Sequence, residues 1–278
     1  MSLRSHLLGG AVLAAASITF TGSTSSARTI QYQTGFEPAD YATGSLIGQN
    51  GWTRYDADAP LPTVDVQGSI VRSLTGGTQA VKFQTTGAGA DPYADFTDIY
   101  TGATGISAAT LAAEPLVTIQ FDMMRGTLDN GVLPTAAWGI DVYDADDSAL
   151  AATIVAYDDL LGPAVGGSDA AGSFVFLGDG SARGNWDTYT ISLNYLTRKY
   201  AVALNGVQLG AELDFGATAD NGIGDVDFLA LTRGTDAAYF DNLIITTSPV
   251  PEPAMAGTMV LAIAGAVSVR RRTSRAAR

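Results

Sequence analysis

Short runs of alternating apolar and polar residues fill most of the chain between its two ends, and they predict β-strands. Val117, Ile119 and Phe121 alternate with polar residues, and Tyr189 and Ile191 follow the same period of two. Successive side chains of a strand point to opposite faces, so such a run buries one face in a core and leaves the other outside. We count about a dozen runs of this kind, bounded by Gly, Asn and Asp.

Asn-Gly pairs separate several of these runs, at 50–51, 130–131, 205–206 and 221–222. Both residues tolerate positive φ, which the two-residue hairpin turn of type I′ requires. Helical periodicity is confined to residues 107–113, just before Pro115. The pattern therefore predicts one all-β antiparallel domain over residues 28–248, either a sandwich or a barrel.

The first 27 residues are typical of a secretory signal peptide. Arg4 supplies positive charge, residues 7–16 are apolar, and Ser25-Ser26-Ala27 places small residues where signal peptidase cleaves. The alternative is a buried helix of a cytoplasmic domain. The signal predicts export through the inner membrane and removal of residues 1–27 by signal peptidase.

The end of the chain contains three segments in order. Pro251-Glu252-Pro253 lies in an extended, proline-rich stretch, residues 254–269 carry no charge, and Arg270-Arg271-Arg272 begins a basic tail. An apolar segment of this length is short for a span of about 20 residues, yet it suits a thin bilayer. We expect a transmembrane helix over 254–269 with the arginines in the cytoplasm.

These three segments together resemble the PEP-CTERM sorting signal, over residues 249–278. The resemblance implies that an exosortase, a membrane transpeptidase or protease, processes the tail. It also implies a bacterial host that often makes extracellular polysaccharide, with the body transiently anchored and then placed at the cell surface or outside the cell. A permanent C-terminal anchor is the alternative, and the resemblance does not reveal what the body does.

The body resembles a second family, the concanavalin A-like or laminin-G-like jelly roll. Residues 35–38 and 48–52 are similar to its opening, residues 186–189 and 200–206 to an inner hairpin, and residues 239–243 to its last strand. The resemblance implies an antiparallel jelly-roll β-sandwich. That superfamily includes lectins, glucanases and adhesion modules, so the fold leaves the function open.

Composition removes several kinds of chemistry from the body. The chain has no Cys, and its single His, His6, lies in the predicted signal peptide. Disulfides, thiolate catalysis, Ser-His-Asp triads and His metal ligands are therefore excluded. Residues 28–249 contain 27 acidic and 9 basic residues, a net charge of −18 against −13 for the whole chain. Such a body attracts cations and has no nucleic-acid partner.

Glu37 and Asp241 are the candidate metal ligands. The first and last strands of a jelly roll commonly pair, which would bring these two acids together. A buried carboxylate requires donors or a cation, and two carboxylates with backbone carbonyls suit Ca²⁺. Similar jelly-roll modules hold a structural calcium near this place. The alternative is that Asp241 bonds to backbone or lies in solvent.

Other acidic segments and the tryptophans receive structural interpretations. We interpret residues 56–58, 144–148 and 225–227 as solvated turns, although 144–148 resembles half of a calcium loop. Trp52, Trp138 and Trp186 lie in or beside apolar patterns, so we predict that they pack in the core rather than stack on sugars.

Glycoside hydrolysis requires two carboxylates that flank the scissile bond. The body contains three glutamates, Glu37, Glu114 and Glu212, and lacks the Glu-x-Asp-x-x-Glu strand of concanavalin-like glucanases. We therefore expect no hydrolysis of common β-glucans and a non-catalytic surface or matrix protein, with extracellular polysaccharide as its candidate ligand. The alternative is a secreted carbohydrate-active enzyme, a glycoside hydrolase or lyase. A cleft holding two facing acids would favour the enzyme, and a convex surface without aromatic residues would favour a structural role.

Overall fold

Antiparallel strands make up nearly all of the regular structure. The computed structural model describes residues 27–52, 63–66, 77–84, 97–100, 106–126, 137–144, 150–159, 162–216, 222–231 and 237–250. The predicted signal peptide lies outside these residues, as do Pro251-Glu252-Pro253, the helix predicted over 254–269 and Arg270-Arg271-Arg272. Within the ranges above, no helix is long and apolar enough to cross a membrane.

The strands are longer and more numerous than the sequence pattern predicts. Up to the middle of the body they are β1 (Thr29–Thr34), β2 (Gly44–Ser45), β3 (Thr63–Val66), β4 (Gln79–Gln84), β5 (Thr97–Tyr100), β6 (Ile106–Ser107), β7 (Leu116–Arg125) and β8 (Ala137–Tyr143). The remainder are β9 (Leu150–Asp159), β10 (Gly162–Ser168), β11 (Phe174–Asp179), β12 (Trp186–Asn194), β13 (Lys199–Leu204), β14 (Val207–Asp214), β15 (Gly222–Ile223), β16 (Asp225–Leu231) and β17 (Ala237–Ser248).

The predicted short helix is present as α1 (Ala108–Ala113), which follows β6 directly. Ser107 is its N-cap, and the Ser107 hydroxyl accepts a hydrogen bond from the Thr110 backbone N–H at 3.2 Å. Such a cap satisfies one of the four backbone donors that a helix leaves free at its start.

Two large antiparallel sheets form a sandwich. The first has the order β14-β13-β12-β7-β17-β4-β3-β2. The long strand β17 pairs with β4 through its first half and with β1 through its second half. The second, the six-stranded sheet, has the order β11-β10-β9-β8-β16-β5. The first and last strands of the body pair as predicted, and the architecture agrees with an all-β jelly-roll sandwich.

Aromatic rings fill the space between the sheets. Phe228 of the six-stranded sheet stacks on Phe240 of the first sheet, with ring centroids 4.4 Å apart. Trp52 stacks on the same Phe228 at 5.0 Å. Trp52 and Trp138 are fully buried, and Trp186 lies with Met124 in a smaller apolar cluster, so the prediction that the tryptophans are packed is confirmed.

The Asn205-Gly206 turn joins β13 to β14 as the sequence predicts. Asn205 has φ of 50° and Gly206 has φ of 77°, as a type I′ turn requires. The Asn205 amide donates to Asp187 Oδ1 at 2.7 Å, and its Oδ1 accepts the Thr188 N–H at 2.9 Å. The pair at 50–51 also has positive φ at both residues, whereas 130–131 lies outside the described residues.

One buried ion-pair cluster connects the two sheets. Arg125 at the end of β7 donates to Asp158 of β9 at 3.0 Å, and Arg183 donates to the other oxygen of Asp158 at 2.6 Å. The Arg183 guanidinium also lies 5.2 Å from the centre of the Trp138 ring. Asp158 therefore fixes one strand of the six-stranded sheet to the neighbouring sheet.

Candidate active site

The six-stranded sheet has one face in the core, and its second face, here called the outer face, carries acidic residues. Ile140, Val142 and Phe228 belong to the core, so alternation turns Asp141 of β8 and Asp227 of β16 to the outer face. These two residues are direct partners across the β8–β16 ladder. Directly opposed residues have Cβ atoms about 4.5–5.5 Å apart, so two carboxylates meet on this face.

Both carboxylates are removed from solvent, since Asp141 is 5% exposed and Asp227 is 2% exposed. Burial raises the pKa of Asp141 to about 6, and hydrogen bonding to the Thr153 side chain opposes this rise. Thr153 is the partner of Asp141 on β9. Asp141 Oδ1 is buried and has no hydrogen-bond partner in the described part of the chain. A carboxyl group with such a pKa can hold and donate a proton near neutral pH.

The acidic character continues along the sheet. On its other side Asp227 pairs with Asp98 of β5, and Asp225 is a further buried acid of β16. The six strands together contain seven Asp and no Lys or Arg. Among the described residues, no group of three or more acidic or His side chains is arranged to hold a metal ion.

Aromatic side chains occupy the opposite end of the outer face, at the edge strand β11. Phe174 and Phe176 are each 55% exposed. The Phe174 ring covers Gly166 of β10, where a Cβ would lie 2.1 Å from the ring, and it contacts Tyr157 with centroids 5.3 Å apart. The outer face is therefore open and aromatic at β11, and buried and acidic at β8 and β16.

The predicted calcium ligands lie elsewhere, where β1 and β17 pair. A Cβ on Gly35 would be 3.8 Å from Glu37 Cγ and 3.9 Å from Asp241 Oδ1, so both acids border the same residue. The Glu37 carboxylate accepts the backbone N–H of Thr78 at 2.9 Å and its hydroxyl at 2.7 Å. Asp241 is fully buried. Calcium itself stays a prediction.

The interpretation of residues 225–227 as a solvated turn is wrong, whereas β8 and β9 pair antiparallel on either side of the turn predicted at residues 144–148. Asp225 and Asp227 lie in β16 and are buried, on the face opposite to Val226 and Phe228, which enter the core. Asp144, directly after β8, is also fully buried. Residues 56–58 and 145–148 lie outside the described residues.

Asp141 was missing from the sequence-based candidates. The sequence pattern did mark Asp141, because it stands between the apolar residues Ile140 and Val142, as expected of a strand with one polar face. Its partner Asp227 could not be predicted from the sequence, since the register between β8 and β16 is a property of the folded sheet.

Comparison with known proteins identifies the fold but no family. No family model matches the chain, and no curated protein matches it by sequence. A carbohydrate esterase from the Shiga toxin-encoding bacteriophage phi24B superposes with a TM-score of 0.54 at 15% identity, covering 80% of this chain and 100% of that one.

Two alginate lyases superpose less well. One from Polysaccharide Lyase family 7 has a TM-score of 0.45 at 14% identity, covering 78% of this chain and 93% of that one. One from Pseudomonas aeruginosa has a TM-score of 0.39 at 14% identity, covering 78% and 97%. At these scores the lyases carry no weight, whereas the esterase establishes a shared fold.

The expectation that the body is not an enzyme is overturned by this likeness. A protein named as a carbohydrate esterase has the same fold over its whole length, so this fold gives no ground for expecting a body without enzymatic activity. The missing Glu-x-Asp-x-x-Glu strand excluded one arrangement of acids only. The opposed aspartates of β8 and β16 form a different arrangement.

Proposed function

We propose that the body is an exported carbohydrate-active enzyme, a glycoside hydrolase whose reaction centre is the pair Asp141 and Asp227. The observation that carries the proposal is the direct opposition of two buried carboxylates on the outer face. Glycoside hydrolysis uses one protonated and one ionised carboxyl group. Environments that separate the pKa values of two acids assign these roles.

Asp141 is the proposed general acid, because its raised pKa of about 6 keeps a proton available. Asp227 is the proposed nucleophile. Its carboxylate oxygen attacks the anomeric carbon, the glycosidic C–O bond breaks, and the Asp141 proton passes to the leaving oxygen. Water then attacks the anomeric carbon, Asp141 accepts a proton from it, and the bond to Asp227 breaks.

The spacing of the pair supports a retaining outcome. Opposed residues in a ladder have Cβ atoms about 4.5–5.5 Å apart, and side chains that leave the sheet in parallel from such positions suit the short separation of the carboxyl groups in retaining glycosidases better than the wider one in inverting enzymes. The body contains no His or Cys, so the Ser-His-Asp and Cys-His routes of acyl transfer are not open to it.

Product analysis with single substitutions tests the proposal. The full chain is incubated with neutral polysaccharides of α and β linkage, and released reducing ends are measured. Asp227→Asn and Asp141→Asn should each lower turnover by about 10²–10⁴-fold, whereas Asp40→Asn, at an exposed acid between β1 and β2, should not. Turnover retained in both variants, or a product of inverted configuration, would contradict the assignment.

Export and tail processing form a separate part of the proposal, supported by residues 1–27 and 249–278. The mature protein is expected to begin at Arg28 and to end near Pro251-Glu252-Pro253. Mass spectrometry of the cell-associated and secreted protein measures both ends. An intact Arg278, in a host with an active sorting enzyme, would leave the permanent anchor as the explanation.

A further inference from the structure

The charge of the outer face restricts the polysaccharide that it can bind. The six strands contain no Lys or Arg. Arg125 and Arg183, which approach the six-stranded sheet, are turned to Asp158. Carboxylated and sulfated polysaccharides are bound through cationic side chains, and the described strands of this face supply acidic side chains and no Lys or Arg for such contacts.

Aromatic rings supply the complementary attraction. The edge-to-face pair Phe174–Tyr157, whose ring planes meet at 72°, and the neighbouring Phe176 form an apolar surface here called the platform. Scattered exposed apolar residues are ordinary, but these three project from one face of β9 and β11. The face of an aromatic ring suits the apolar face of a pyranose ring, and Phe rings add no charge.

The platform and the acid pair lie in one line across the sheet. Phe174 covers Gly166 on β10, which is two strands from β8, or about 10 Å at the usual strand spacing. Gly166 pairs with Val155 and Asp141 with Thr153, an offset of about 7 Å along the strands. A chain of a few sugar rings spans this separation.

We propose that the outer face binds an uncharged pyranose polysaccharide lengthwise, with Phe174 and Tyr157 as a stacking subsite remote from Asp141 and Asp227. This inference rests on the proposed function, whose substrate class it names. A different occupant of the platform, such as a second copy of the chain paired through the edge strand β11, is an outcome of the test below.

The test compares two ligands that differ only in charge. One is a soluble neutral glucan, and the other is the same glucan with its primary alcohols oxidised to carboxylates. Binding to the full chain carrying Asp141→Asn is measured by calorimetry, so that cleavage does not consume the ligand. We expect the neutral glucan to bind at least tenfold more tightly, with little dependence on salt.

Substitutions then locate the contact. Phe174→Ala should weaken binding of the neutral glucan about tenfold, and Leu196→Ala, at an apolar residue 66% exposed elsewhere, should leave it unchanged. Melting temperatures of all variants verify folding, and size-exclusion chromatography reports association.

Equal or tighter binding of the carboxylated glucan, unchanged binding by Phe174→Ala, or a dimer that Phe174→Ala dissociates would each overturn the inference. If the proposal of glycoside hydrolysis is wrong but this inference is right, the result is different. In that case the wild-type chain releases no reducing ends, while selective binding of the neutral glucan and its dependence on Phe174 persist.

Discussion

Asp141 is the side chain at which burial has the clearest electrostatic consequence. Its pKa is raised to about 6 from an ordinary 3.8, chiefly by burial. The folded chain therefore binds more protons than the unfolded chain between about pH 4 and pH 6, and this group lowers stability as pH rises through that window. The same burial that lowers stability at higher pH allows the Asp141 carboxyl group to keep its proton closer to neutral pH.

Replacing the group should remove that pH dependence. Two pKa units correspond to about 3 kcal/mol of unfolding free energy, so Asp141→Asn should lose about that much less stability than wild type between about pH 4 and pH 7. Denaturant unfolding at a series of pH values measures the difference. Asp40→Asn, at an exposed acid, should track wild type, and parallel curves for Asp141→Asn would show that Asp141 keeps an ordinary pKa.

The predicted calcium at Glu37 and Asp241 has its own stability test. An ion that binds only the folded state stabilises it by about 2.7 kcal/mol at a hundredfold excess over Kd, so melting should rise by several degrees from chelator to millimolar calcium. Asp241→Asn should abolish most of the shift. The control is Glu114→Gln, which should retain the shift because the Glu114 carboxylate accepts a hydrogen bond from Thr29 and is not a predicted ligand. Identical melting in chelator and calcium would refute the site.

At the scale of single elements, a hairpin turn fixes the register of the two strands that it joins. The β13–β14 turn depends on Asn205 for two reasons, because its backbone has positive φ and its side chain joins Asp187 and Thr188. Glycine tolerates that φ without steric cost, whereas alanine does not. The two contributions can therefore be separated by substitution.

Asn205→Gly removes the side-chain hydrogen bonds and should lower the unfolding free energy by about 1 kcal/mol. Asn205→Ala loses the same hydrogen bonds and keeps a Cβ in the left-handed region with no polar side chain to stabilise it there, so it should cost about 1–2 kcal/mol more. Urea unfolding of both variants gives the two values. Equal losses would mean that the backbone conformation contributes nothing measurable.

At the scale of the whole molecule, the sandwich is held by the aromatic core and by Asp158 between its sheets. Asp158 forms ion pairs with both Arg125 and Arg183, of which Arg125 is 3% exposed. Breaking a buried ion pair from one side leaves uncompensated charge in a low dielectric, which is more damaging than removing both partners.

Asp158→Asn should therefore lower the unfolding free energy by about 3–5 kcal/mol. Lys199→Met, which breaks the exposed pair between Lys199 and Asp214, should leave stability near that of wild type because water screens that pair. Thermal and urea unfolding of the two variants provide the comparison. A small loss for Asp158→Asn would show that water or another acid reaches the arginines.

The sequence by itself determined the local structure of the body and part of its chemistry. Alternation with a period of two revealed strands such as β7 and β12, because neighbouring side chains of a strand face opposite ways whatever the fold. Asn205-Gly206 revealed its turn because the φ preferences are local. The absence of Cys and of any His beyond His6 excluded whole mechanisms without reference to structure.

Only the tertiary structure decided which acids meet. Asp141 and Asp227 lie far apart in the chain, and their opposition depends on the register between β8 and β16, which many distant contacts set together. The raised pKa of Asp141 likewise follows from burial, which no local pattern specifies. Local preferences thus determine the strands, while long-range packing brings two aspartates and an aromatic surface together on one face.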